Sequence, residues 1–484
     1  MLDAHEAQHD LMDLDEDILT HVAAALLHAP SLLALSATCK TFHRLVLGAV
    51  DARLVWSAAL AADYDWPLDS ASPQLYRELS QMQHFEWRKC DIECSRQRQR
   101  TLDGRTSTAA CCLEGQLLMY GGTLNGNLGP VLDDLLMLNY DTINNLLTVK
   151  IAKLDPDSDD GDNPHARRGH SMTTTSAVVG TARGAAPQPA ACVLGGWGND
   201  EVDMSPVLLS RGADGYRWSR PSVSGREPEG RAFHSATEVG ATSCALLVYG
   251  GLGQGCCRTD LALLDLASMT WSTPRVEGRP RCVGGRAGHG AAYFAPRAGR
   301  GERAGRLLFL SGASRSRRGD AHQGSIDVLQ IESGSDGGGA SSGGGASSGG
   351  GASGGGGASG ERGGVASVRW SDETSWEASV RLPEVRTASY AVLAGGAVVA
   401  WSGIREGHEP DGALHVIDAR RRTVRTGTVT RAPQGQIPEP RGGAIMVPVP
   451  GAPRLVLMLC GSDHEDETDM LSPHVLELQL SGVP

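Results

Sequence analysis

Residues 246–251 read LLVYGG, four residues suited to a strand and then two adjacent glycines. The ending recurs: LLMYGG stops at Gly122 and CVLGG at Gly196, as LLVYGG stops at Gly251. Three further apolar runs end on a weaker form, LLFLSG at Gly312, VVAWSG at Gly403 and LVLMLCG at Gly461, with serine or cysteine in the first position. A short apolar run bounded by glycine is the pattern of a buried strand. A residue without Cβ at the strand end permits a positive φ and lets neighbouring backbone approach closely. The second glycine never varies, which marks it as the more tightly constrained of the two.

Working outward, an arginine lies upstream of each of these strands. In RRGHS, RAFHS and RAGHG it is followed three residues later by histidine, giving Arg167 with His170, Arg231 with His234 and Arg286 with His289. In RTSTA, RTASY and RGGAI the arginines Arg105, Arg386 and Arg441 remain and the histidine is lost. Downstream come strands such as DLLMLNYD, DLALLDLA and ALHVIDA, and then, in several units, a tryptophan with a β-branched residue five positions on, as in Trp218 with Val223 and Trp271 with Val276. One unit is thus four antiparallel strands in about 50 residues, the period of kelch repeats. A four-stranded sheet cannot bury both faces alone, so the units are expected to pack around an axis as a mainly β, six-bladed kelch β-propeller over residues 85–484. The sixth unit ends at HVLELQLSGVP with only three strands. The missing one is expected at residues 85–93, where FEWRKCDI sets Trp87 and Ile92 at the same spacing, so that the two ends of the propeller close the ring. The Gly, Ser and Ala run at 334–364, inside the fourth unit, has no apolar surface to bury and is expected to be a disordered loop.

Ahead of the propeller, residues 1–10 are polar and expected to be disordered, residues 11–60 form a small all-α module, and residues 61–84 make a helical linker. Ile18, Val22 and Leu26 recur at helical spacing, Asp15, Glu16 and Asp17 sit where a helix N-terminus favours negative charge, and Pro30 with Ser31 separates the first helix from the next. The pattern Leu14, Ile18, Leu19, Val22, Leu32, Leu35, Cys39, Phe42, Leu54, Trp56 resembles an F-box, with Asp15 where that family usually has proline. LYRELSQMQHFEWRKCDI, LLMYGG and VLDDLLMLNYD extend the likeness to the F-box and kelch half of the plant Zeitlupe family, without a flavin-binding LOV domain. The resemblance implies docking on a Skp1-like protein through Leu14, Ile18, Leu19, Val22, Leu32, Leu35 and Trp56, and through it on cullin and RING subunits. It implies a substrate receptor of a ubiquitin ligase: no catalytic residue, no cofactor, and a propeller that holds the protein to be modified.

Charge agrees with a protein partner. The net charge of -12 argues against nucleic acid, whose phosphates need a basic face. No stretch is long and apolar enough for a spanning helix, and no signal peptide is evident. Eleven cysteines without a C-x-x-C pair fit reduced thiols in cytoplasm and/or nucleus. Arg105, Arg167, Arg231, Arg286, Arg386 and Arg441 hold equivalent repeat positions, so closure would set them in a ring. They are expected either to bind an acidic or phosphorylated segment of the substrate or to tie down neighbouring loops. Gly122, Gly196, Gly251, Gly312, Gly403, Gly461 and Trp87 are expected to be structural. So are His170, His234 and His289, since metal sites do not copy themselves once per blade. The acidic SDHEDETD at 462–469 reads as a solvated loop. Two rivals stand beside the adaptor: a non-ligase kelch scaffold, and a metalloenzyme similar to galactose-oxidase-like copper proteins.

Overall fold

The computed structural model describes most of residues 84–479, with Gln74, Leu75, Glu78, Leu79 and Met82. Residues 1–73, 94–104, 334–364 and 462–473, and several shorter loop segments, lie outside the described part. The expected helical module at 11–60, the expected disordered segments at 1–10 and 334–364, the expected solvated loop at 462–469 and Arg386 therefore fall outside it.

Six four-stranded antiparallel units follow one another. Blade one runs, from the axis outward, through Ala109–Leu113, Gln116–Tyr120, Leu135–Ile143 and Leu146–Leu154. Blade two is Ser171–Val179, Gln188–Leu194, Val207–Gly212 and Gly215–Ser219; blade three is Ser235–Val239, Ala245–Tyr249, Leu261–Asp265 and Thr270–Ser272. Blade four is Gly290–Phe294, Ala304–Leu310, Ile326–Ser333 and Val365–Trp370; blade five is Ser389–Leu393, Ala397–Trp401, Leu414–Asp418 and Thr423–Thr426. Blade six takes Ile445–Val449, Ala452–Leu459 and His474–Leu478 from the far end of the chain and its fourth strand, His84–Lys89, from the near end.

The second strands are continuous apolar runs because both their faces are covered: every residue of Ala245–Tyr249 and of Ala397–Trp401 is buried. Gly215–Ser219, at the rim, buries only Trp218. The core accordingly lies in six apolar clusters, each shared by two neighbouring blades. One of them joins Met119 and Leu136 of the first blade to Leu457 and Val475 of the last, so the toroid is closed.

His84–Lys89 lies antiparallel to His474–Leu478, with Trp87 opposite Leu476. Trp87 is fully buried and meets the Trp401 ring edge-on at 5.2 Å. The stretch read from sequence as one strand over 85–93 is two: past the buried Cys90 the chain crosses to blade one, where Asp91–Glu93 pairs parallel with Leu146–Leu154. The same crossing explains the five-residue tryptophan spacing. Trp87, Trp218 and Trp271 sit on fourth strands, and the residue five further on lies in or adjoins a short parallel fifth strand on the next blade: Asp91–Glu93, Ser224–Gly225 and Val276–Glu277. Nor is the segment before residue 84 only a linker. Leu75 and Leu79 are helical, and with Met82 they are buried in the cluster between blades five and six, beside Trp87.

Candidate functional site: the hub mouth

The arginine turns and the glycine-ended strands meet at one end of the barrel of blades. Here the repeated arginine has one task. Arg105, Arg167, Arg231, Arg286 and Arg441 each donate from Nη1 to the carbonyl of the first residue of their own blade's doublet, at Gly121, Gly195, Gly250, Ser311 and Cys460, over 2.7–3.3 Å. The amide of the second glycine donates onward to the arginine carbonyl of the next blade: Gly122 to Arg167 at 2.8 Å, Gly196 to Arg231 at 3.0 Å, Gly251 to Arg286 at 2.7 Å. Gly461 donates to Arg105 at 2.8 Å and so joins the last blade to the first.

These five guanidiniums are buried, none more than 8% exposed, and Arg105, Arg231 and Arg286 are paired with carboxylates among the described residues. Arg105 grips Asp134 through both Nη atoms at 2.9 and 2.8 Å, Arg231 grips Asp260 at 2.9 and 2.7 Å, and Arg286 pairs with the buried Asp327. An acidic partner cannot reach charges already sequestered and bonded in this way. Of the two sequence readings, the substrate-binding one fails for Arg105, Arg167, Arg231, Arg286 and Arg441, and the loop-tying one describes what they do. The Asp partners are hard to pair with their arginines from sequence because they lie on the far side of the glycine loop.

The glycine pair is a two-sided spacer. A Cβ on Gly196 would sit 2.7 Å from His170 Cβ, and one on Gly251 2.8 Å from His234 Cβ, so the second glycine packs on its own blade's histidine. A Cβ on Gly121, Gly195 or Gly250 would come within 3.0 Å of Cε1 of His170, His234 or His289, so the first glycine packs on the histidine of the following blade. Ser311 and Cys460 fill that first position where the following blade presents Ser389 or Thr108 in place of histidine, and both keep a positive φ, 53° and 63°. His234 Nε2 shares a hydrogen bond with Ser171 Oγ at 3.0 Å, and His289 Nε2 with Ser235 Oγ at 2.9 Å, each reaching back one blade. Burial first, and the adjoining arginine second, depress all three histidines from 6.5 to about 3, so they stand neutral in the fold. Among the described residues no cluster of three or more His, Cys, Asp or Glu side chains is placed to hold a metal ion.

The blades depart from their common pattern at one place on the hub. The residue before the histidine position has left-handed backbone wherever it is described: Ser107 (φ 54°), Gly169 (64°), Phe233 (57°), Gly288 (61°) and Gly443 (67°). These residues form an arc at the hub, in which Gly169 N donates to Ser107 O at 2.8 Å, Phe233 N to Gly169 O at 2.6 Å and Gly288 N to Phe233 O at 2.9 Å. Phe233 alone brings a bulky side chain to that arc. The residue after the arginine pairs by a β-bridge with the residue after the doublet: Thr106 with Thr123, Arg168 with Trp197, Ala232 with Leu252, Ala287 with Ala313. Among these four described bridges, only that of blade two has two large partners. The three outliers touch: Trp197 and Phe233 meet edge to face at 5.3 Å, and the Arg168 guanidinium lies 5.8 Å over the Trp197 ring. All three are half-buried. The cluster was visible in sequence as RRG against RAF and as GGW against GGT and GGL, but the invariant arginines drew the reading away from the residues that vary.

No family model matches the chain. Kelch domain-containing protein 3 of Bos taurus is 31% identical over 119 residues, which is 24% of this chain and 27% of that protein. Host cell factor of Drosophila melanogaster is 30% identical over 142 residues, 26% of this chain and 9% of that protein. The likeness thus spans about a quarter of the bovine relative's length and less of the fly protein's. Among solved structures, a chain in the cryo-EM structure of RAG in complex with one melted RSS and one unmelted RSS is similar, with TM-score 0.47 and 12% identity over 81% of this chain and all of that one. Repeat sequence, the toroid of six blades and the curated relatives together identify a kelch-repeat protein.

Proposed function

We propose that this chain is a substrate-recognition adaptor of a Skp1-cullin-F-box ubiquitin ligase, working in cytoplasm or nucleus. Its propeller holds a protein partner at the hub mouth, and residues 11–60 dock on a Skp1-like protein. The observation that carries the binding half is the Arg168, Trp197 and Phe233 cluster: an arginine and two aromatic rings, the residue types that dominate interface energetics, in a ring of otherwise small residues. The ligase half is supported by the F-box pattern of Leu14, Ile18, Leu19, Val22, Leu32, Leu35 and Trp56. Such an adaptor performs no bond chemistry. It raises the effective concentration of a substrate lysine beside the charged conjugating enzyme.

The test is co-purification of the full chain with Skp1. Wild type is expected to form a stoichiometric complex, and the double substitution Leu32→Glu, Leu35→Glu is expected to abolish it while leaving the thermal unfolding of the propeller unchanged. Wild type failing to bind, or the double variant binding as well, would end the ligase reading and leave a kelch interaction scaffold.

A further inference from the structure

The geometry points to Thr273 as a phosphorylation site, the acceptor for a kinase that selects proline directly after the residue it modifies. Four hydroxyl residues of the chain stand before proline: Ser72, Ser205, Thr273 and Ser472. Ser72 and Ser472 lie outside the described residues, so the fold discriminates between the other two. Ser205 is half-buried between the buried Met204 and Pro206, and its hydroxyl donates to Glu227 Oε1 at 3.4 Å. The same carboxylate oxygen accepts from the Met204 amide at 2.8 Å, which pins the backbone beside it. A kinase could not draw Ser205 out without breaking this packing.

Thr273 is placed in the opposite way. It lies in the crossing from blade three to blade four, between Thr270–Ser272 and Val276–Glu277, and is exposed together with Ser272 and Arg275. It makes no hydrogen bond to another described residue. Pro274 has no backbone donor and disfavours helical dihedrals at the residue before it, so Thr273 is held extended, the form in which a kinase cleft takes its substrate. On the C-terminal side the segment lifts readily, because Val276 and Glu277 are exposed and pair with Val368 and Arg369 over only these two residues. In the transfer, Thr273 Oγ attacks the terminal phosphorus of a nucleoside triphosphate and the bond to the bridging oxygen breaks. The nucleoside diphosphate leaves, and the hydroxyl proton passes to the catalytic aspartate of the kinase. The product differs in sign of charge. Arg275 and Arg279 are exposed beside the exposed Glu277, and a phosphate bringing about -1.5 to -2 charges at pH 7 turns that positive surplus negative.

The experiment uses the full-length chain carrying Ser72→Ala and Ser472→Ala, so that only Ser205 and Thr273 precede proline. The folded chain is incubated with a purified proline-directed kinase, magnesium and nucleoside triphosphate, beside free peptides covering 198–212 and 266–280, and phosphate is located by mass spectrometry. Thr273 in the folded chain is expected to be modified within about tenfold of the rate of its peptide, whereas Ser205 is slowed more than about a hundredfold against its own. Thr273→Ala removes the phosphate and Thr273→Ser restores it. The modified chain melts with the unmodified one, because the hydroxyl has no partner to lose. Absence of phosphate from Thr273 in the folded chain, a Ser205 phosphate arriving as fast as that at Thr273, or a marked fall in melting temperature on modification would each overturn the inference. Skp1 binding is scored separately on the same preparation, so the ligase reading stands or falls without it.

Discussion

Gly195 and Gly196 look interchangeable in the sequence and are not. Gly196, at φ 95°, faces His170 Cβ and the Arg168 carbonyl, both rigid, so Gly196→Ala should destabilise by roughly 3 kcal/mol in denaturant titration. Gly195 faces the movable edge of His234 as well as the Arg231 carbonyl. Gly195→Ser should therefore cost stability that His234→Ser partly restores, a positive coupling in a double-mutant cycle, because serine with serine is the pairing that Ser311 and Ser389 already make. The arginines can be ranked by what they would leave behind. Arg286→Met takes the counter-charge from Asp327, whose side chain is 2% exposed and keeps the amides of Arg281 and Cys282, and should cost about 3–5 kcal/mol. Arg231→Met leaves Asp260, whose side chain is 49% exposed, to water and should cost less than half as much. Equal losses would show that the carboxylates are not what the arginines chiefly serve. That each arginine recurs was readable from sequence. That it points inward was not, because burial depends on an aspartate and a carbonyl brought together only by strand pairing.

Among the elements, the glycine-ended second strands were the most legible, since a run covered on both faces is written as uninterrupted apolar residues. The fifth strands were the least legible. Ser224–Gly225 and Val276–Glu277 are two residues long and carry no periodicity, so they surface only as a fixed distance from a tryptophan. That distance was read as a property of one strand, and it belongs to the step between two blades. The strand His84–Lys89 can be tested at Trp87. Trp87→Ala should lower stability by roughly 3–5 kcal/mol, because the ring is enclosed by Trp401, Leu476 and the helical Leu75 and Leu79. An unchanged melting temperature would mean that the near end of the chain does not complete blade six. The cluster of Arg168, Trp197 and Phe233 occupies no strand of its own. It lies in turns, which explains why a reading led by strands passed over it.

For the whole toroid, the three interblade histidines make acid the informative variable. Each is neutral in the fold, with its pKa depressed from 6.5 to about 3, whereas in the unfolded chain each takes a proton below 6.5. Stability should therefore be independent of these groups above pH 6.5 and fall as the pH is lowered from there toward 3, with up to three protons taken up on unfolding. Denaturant midpoints measured across that window, for wild type and for His289→Gln, would show the slope and its reduction. A flat profile would mean that the interfaces admit water. The sharing of blade six between two distant segments also bears on biosynthesis. His84–Lys89 leaves the ribosome long before its antiparallel neighbour His474–Leu478 is translated. Until then the nascent polypeptide carries a naked β edge that invites association with other chains. A premature stop codon upstream of residue 474 should accordingly yield an insoluble product in cells rather than a smaller working one.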